Sequence, residues 1–279
     1  MTMTKRSVPP SRFLYNGSAF AFGGQIRRPY DEVVETQAAT VLPAVGGYGR
    51  ARVEDFQFRD LVSFRSAHSV VTGNESTVDG RRVFNTLVTV TLEDLNISDL
   101  ITADRVVARL VSEKPEGEDE LPINPVGSYI SNLRIAGTRI QSPRLRRLFD
   151  KKTLHALSEG REGASPVDTS GHALKMPPLG RRKPAHKGAP GSFDEHEILT
   201  SIFDRPKSLP PGCQAEVDSH GEPVPPWGLH IPGFGTVYLG EFLITRYSRR
   251  LTMIRVKMGS PVEGDMEFGN TQGNGSTYP

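Results

Sequence analysis

The chain has 279 residues, 36% of them hydrophobic, with 28 Gly and 22 Pro, and its 34 basic and 32 acidic side chains leave a formal charge of +2. That balance creates no global field to recruit nucleic acid or an anionic membrane, so nucleic acid is not expected as a partner despite a pI near 8.7. The single cysteine, Cys213, excludes an intrachain disulfide framework and a cysteine-rich metal site; no stretch reaches the roughly 18 consecutive apolar residues of a membrane span.

Residues 1–16 read as a flexible arm ahead of one β-rich domain over 17–279. Lys5 and Arg6 are followed by two prolines where a signal peptide needs an unbroken apolar run, which makes a cytoplasmic location the default expectation. A short apolar run, Ser18 to Phe22, ends at Gly23 and Gly24. Strands are expected near Val33 to Ala39 and Ala51 to Phe58, separated by Pro43 and a glycine cluster, then over Leu61 to Val71, with a hairpin turn at Asp79-Gly80. Leu87 to Glu113 alternates most clearly: Val88, Val90 and Leu92 share a face, and the pattern resumes from Ile101 to Val111.

The acidic run KPEGEDELPINP reads as a solvated connection, and GSYISNLRIAGTRI alternates again, with Ile130, Leu133 and Ile135 as buried positions and a turn at Ala136-Gly137. Residues 142–192 interrupt the domain. Ser142-Pro143 opens a helix carrying Leu145, Leu148, Phe149, Leu154 and Leu157 and leaving at Gly160, followed by a mobile basic loop. Residues 192–205 read either as a short helix opened by a Ser192 to Glu195 capping box, with Ile198, Leu199, Ile202 and Phe203 on one side, or as a strand in which Ile198, Thr200 and Ile202 alternate; the early stop at Pro206 favours the strand. TVYLGEFLITRY and LTMIRVKMGS form the last clear strand pair before a Gly- and Asn-rich tail. About eight to eleven short strands with one helix predict an antiparallel β sandwich or a barrel-like fold.

The segments GSAFAF, LPAVGGYG, VTLEDLNISDLITADRVVARLVSE, GSYISNLRIAGTRI and LTMIRVKMGSPVEGD resemble, in order, those of bacterial choice-of-anchor surface domains of the P type. Leu100-Ile101-Thr102-Ala103-Asp104 and Leu133-Arg134-Ile135-Ala136-Gly137 carry the resemblance, which covers about 17–140 and 234–270. It implies a β-rich, non-enzymatic domain displayed on or secreted from a bacterial cell, with no catalytic residues to carry over.

The chemistry-bearing residues are sparse. No HExxH or Cys/His spacing for zinc and no Gly-x-Ser-x-Gly elbow occurs, so neither a metal nor a cofactor is expected. An enzyme, if this is one, would use His220, His230 and Glu222 around the Pro-rich loop as an acid and base set. Trp227 and Phe234 on that loop offer an aromatic surface for a glycan or protein ligand, and Arg181, Arg182, Lys183 and Lys187 a polyanion contact. Asp55, Asp60, Asp94, Asp99 and Asp104 recur at strand ends, where turn chemistry explains them as well as calcium would. The leading expectation is a non-enzymatic β-rich protein that binds a partner or assembles with copies of itself; the alternative is an enzyme or small-ligand binder with its pocket under the Trp227 loop.

Overall fold

The computed structural model describes residues 12–118, 123–141, 174–175, 198–206, 208–217, 228–245 and 248–278. The strands in chain order are β1 (Arg12–Arg28), β2 (Glu32–Gln37), β3 (Thr40–Val41), β4 (Gly47–Phe58), β5 (Val62–Val78), β6 (Arg81–Ile97), β7 (Ile101–Pro115), β8 (Ile123–Asn124) and β9 (Tyr129–Ser131). They continue as β10 (Arg134–Ile135), β11 (Thr138–Arg139), β12 (Leu174–Lys175), β13 (Ile198–Ser201), β14 (Gln214–Ala215), β15 (Gly228–Ile231), β16 (Gly235–Ile244), β17 (Ser248–Met258) and β18 (Glu263–Tyr278). No helix occurs among the described residues, and the helix expected after Ser142 lies outside them.

Every strand pair is antiparallel, in two sheets. The first runs β12-β13-β16-β17-β18-β1-β2, with β3 on β1 and β14-β15 on β16; the second runs β11-β10-β7-β6-β5-β4, with β8 and β9 on β7. Neither sheet closes on itself among the described residues, so the barrel-like alternative is set aside. β1 and β18 lie over β5, β6 and β7, and one apolar cluster joins both sheets. In it Phe22 stacks on Phe268 at 4.8 Å and meets Phe56 edge-on at 5.5 Å, while Phe13 stacks on Phe84 at 4.5 Å.

Each sheet is crossed by a line at which its strands turn over. In the second sheet Asp55, Arg65, Asp94, Asp104 and Asn132 face one another on successive strands, bracketed by regular pairs such as Glu93↔Arg105 and Leu95↔Ala103. The register passes through unshifted, yet the buried positions change parity: Val88, Val90 and Leu92 before the line, Leu95 and Ile97 after it. Asp55, Asp94 and Asn132, on alternate members of the line, have φ of 50°, 54° and 50°. A left-handed residue inside a strand turns the chain over locally, and Asp and Asn tolerate that conformation better than other non-glycine residues. The first sheet repeats the device: Gly240, Gly269 and Ala38 have φ of 63°, 63° and 50°, alternating with Met253 and Ala21.

Several elements run further than the sequence pattern suggested. β1 starts at Arg12, inside the stretch read as an arm, with Phe13 and Tyr15 buried, and continues through Gly23 and Gly24. The Gly- and Asn-rich tail is β18, the partner of β1 over its whole length. Its glycines allow close approach: a Cβ on Gly275 would lie 2.3 Å from the Phe13 ring. Ile198–Ser201 is a strand, as its alternation indicated.

Candidate functional site

At the turnover line of the second sheet each strand leaves two consecutive side chains out of the core: Glu54 and Asp55, Arg65 and Ser66, Glu93 and Asp94, Asp104 and Arg105, Ser131 and Asn132. All are polar, so a polar stripe crosses the outer face at right angles to the strands. Within it Arg65, Glu93, Asp104, Arg105, Tyr129 and Ser131 line a shallow depression of about 270 Å³. Glu93 is its hub, accepting hydrogen bonds from Arg105, from Arg65 Nη2 at 2.7 Å and from Ser66 Oγ at 3.1 Å. The Arg105 guanidinium, then the Ser66 hydroxyl, hold the Glu93 carboxyl below its ordinary range. Arg65 Nε reaches Asp94 at 2.6 Å, and Asn132 donates to Asp104 at 3.2 Å. Charges so mutually matched make a staple across three strands.

A second network lies on the outer face of the first sheet and is far less exposed. Arg255 makes a bidentate pair with Glu241 at 2.5 and 2.8 Å and stacks over Tyr238, its guanidinium carbon 4.1 Å from the ring centre. Burial, then a hydrogen bond with Glu216, raises the Tyr238 hydroxyl pKa, and burial raises that of Asp265 against the pull of Arg255. Nearby Asn270 donates to Thr252 Oγ1 at 3.0 Å and to Glu267 Oε2 at 2.8 Å, and Glu267 also pairs with Arg250. Bidentate geometry with stacking fixes β16 to β17, and the Asn270 and Glu267 contacts tie β17 to β18.

The residues singled out from sequence do not assemble into one site. His230 is exposed on β15, its Nδ1 3.5 Å from Thr236 Oγ1, whereas Phe234, in the following turn, packs against the core. His220, Glu222 and Trp227, and the basic Arg181, Arg182, Lys183 and Lys187, lie outside the described residues. Cys213 is half-buried and burial raises its thiol pKa, which makes it a poorer nucleophile. The recurrent aspartates are used locally: Asp94 by Arg65, Asp104 by Asn132, and Asp99 in a turn where it accepts from Asn96 Nδ2 at 2.7 Å. Among the described residues no three His, Cys, Asp or Glu side chains gather as metal ligands.

An edge of the second sheet is β4, which pairs only with β5 among the described residues. Its Gly49, Ala51 and Val53 turn half-inward, and Arg50, Arg52 and Glu54 stand exposed. Val41, Val45 and Tyr48 beside its first residues are 67%, 89% and 57% exposed, an apolar margin along an edge that has no second strand among the described residues. Sequence reading placed a strand here but could not distinguish an edge from a centre. A local signal existed for the turnover: Val53-Glu54-Asp55-Phe56 and Leu92-Glu93-Asp94-Leu95 repeat one apolar-Glu-Asp-apolar pattern at the same level of the sheet.

No curated protein and no solved structure matches the chain. The sequence model of a domain of unknown function (DUF8256) matches residues 13–162, which take in β1 from its second residue, the whole second sheet and more than half of the chain. The chain therefore belongs to the DUF8256 family.

Proposed function

We propose that the protein is a non-enzymatic structural or binding protein, a two-sheet β sandwich that assembles with copies of itself. The observation that carries this is the edge of β4, open among the described residues, with its exposed apolar margin of Val41, Val45 and Tyr48. An edge strand presents unpaired N–H and C=O groups that template the addition of another strand. At Asp55 the side chains of β4 change face while its pairing with β5 continues to Phe58, so the stretch that keeps one face is Gly47 to Glu54. A short pairing stretch favours discrete oligomers over open-ended fibres. The ion-paired state of both outer-face networks supports a scaffold reading over a catalytic one. The resemblance to choice-of-anchor domains extends the proposal to display on a bacterial surface.

Light scattering coupled to size exclusion tests the reading. Assembly predicts a mass that is a multiple of 30.6 kDa and that falls on dilution. A single monomeric mass from micromolar to millimolar concentration would refute it.

A further inference from the structure

On the Gly47 side of the turnover line the outer face of the second sheet differs in chemistry from the charged stripe. Strand pairing sets three rows of side chains across β4, β5, β6 and β7, on the side away from the buried Val71, Val88, Val90 and Leu110. The middle row is Arg50, Val70, Thr89 and Arg109. On one side of it run Tyr48, Thr72, Leu87 and Val111. On the other run Arg52, His68, Thr91 and Val107. No carboxylate stands in these rows. The nearest are Glu113, one row beyond Val111, and Glu54 and Glu93, which already pair with Arg52, Arg65 and Arg105. Arg50 and Arg109 are exposed and make no ion pair among the described residues. They end one row, three strand spacings or about 14 Å apart at the backbone.

Between the two arginines the floor is half-buried and mixes the methyl groups of Val70 and Leu87 with the hydroxyls of Thr72, Thr89 and Thr91. A flat floor of that kind, cationic at both ends, fits a long ligand that offers C–H faces, hydroxyls and spaced negative charges. A guanidinium takes a carboxylate through two parallel hydrogen bonds. Nucleic acid fits less well, because a sheet face that binds it stacks successive bases on aromatic rings, and here rings stand only at two corners, Tyr48 and Tyr129. We propose that this face binds a linear acidic polysaccharide, its chain crossing the strands from Arg50 to Arg109 and its carboxylates paired with those two guanidinium groups. The formal charge of the chain is only +2, so the attraction is local to these rows. A monomer carries all three rows, and binding here does not depend on the β4 edge.

Biolayer interferometry on immobilised polygalacturonate tests this, with neutral dextran and single-stranded poly(dT) as comparison surfaces. The wild-type protein is expected to bind polygalacturonate, to release it as salt is raised, and to ignore dextran. Arg50→Gln/Arg109→Gln is expected to lose roughly tenfold or more in affinity. Thr89→Glu, which keeps both arginines and sets a carboxylate between them, is expected to lose as much. Arg28→Gln/Arg139→Gln removes the same charge from exposed positions outside the rows and is expected to stay within about twofold of wild type. Far-UV circular dichroism of each variant checks that the sheets are retained. No binding by the wild type, or equal losses in the two arginine pairs, would overturn the proposal. Equal binding to dextran would overturn it too, because charge is then not read. Tighter binding to poly(dT) that is lost with Arg50 and Arg109 would overturn it in favour of nucleic acid on the same face.

Discussion

Replacing Gly269 with alanine tests whether the turnover line is a built feature of the first sheet. Two costs follow from its position. The backbone sits at φ +63°, and an alanine held in the left-handed region costs about 1–2 kcal/mol. The added Cβ would also lie 3.2 and 3.3 Å from Met253 Cγ and Cβ and 3.4 Å from Val106 Cγ1, the last on the opposite sheet. Inserting a methyl group into such a contact costs about 1–3 kcal/mol. Gly80, in the hairpin turn between β5 and β6, is the matched control: its φ is +77°, but nothing lies within 4 Å of its Cβ position. Gly80→Ala should therefore lose only about 1–2 kcal/mol, and Gly269→Ala about 2–5 kcal/mol. Urea unfolding followed by circular dichroism measures both. Equal losses in the two variants would refute the claim that the sheets are packed tightly across the line.

Three other perturbations probe the networks and the core. Phe22→Ala removes a fully buried ring stacked on Phe268 and should cost about 3–5 kcal/mol in the same assay. Glu241→Gln strands the Arg255 guanidinium, whose side chain is only 24% exposed, and should cost about 3 kcal/mol, part of it recovered when Arg255→Met is added. The acid limb of stability should respond in opposite directions to two carboxyls. Glu93 is lowered by Arg105 and Ser66, so its contribution is full above the unfolded value and is lost as pH falls through the folded one; Glu93→Gln should narrow its gap to wild type between pH 7 and pH 3. Asp265 is raised by burial, so its folded form holds a proton that the unfolded form releases, and stability falls as pH rises through that interval. Asp265→Asn should flatten this fall, leaving the variant at least as stable as wild type at pH 7; unfolding curves at a series of pH values measure both slopes.

Much of the second sheet was legible because its strands bury one face and wet the other. Val88, Val90 and Leu92 announce that alternation, and Ile101 resumes it. The break between them holds both the turn at Ser98 to Leu100, where β6 ends as the pattern suggested, and the turnover at Glu93-Asp94, where two consecutive residues leave the core within one continuous strand. A period-of-two pattern cannot distinguish a strand that ends from one that flips. The first sheet was harder, since β18 carries Gly264, Gly269, Gly273 and Gly275, which composition assigns to loops. Its pairing with β1 is a contact between the two ends of the described chain, which no local window contains. The charged stripe escaped for the same reason: Arg65, Glu93 and Arg105 are far apart in sequence and meet only because three strands turn over at one level.

Amide hydrogen exchange of Gly47 to Glu54, measured across a range of protein concentration, tests the β4 edge most directly. Pairing with a second copy predicts that the amides pointing away from β5 become protected as concentration rises, while exposed amides elsewhere keep their rates. Unchanged, fast exchange of those amides at concentrations where the protein is assembled would contradict the account and move the interface to another surface.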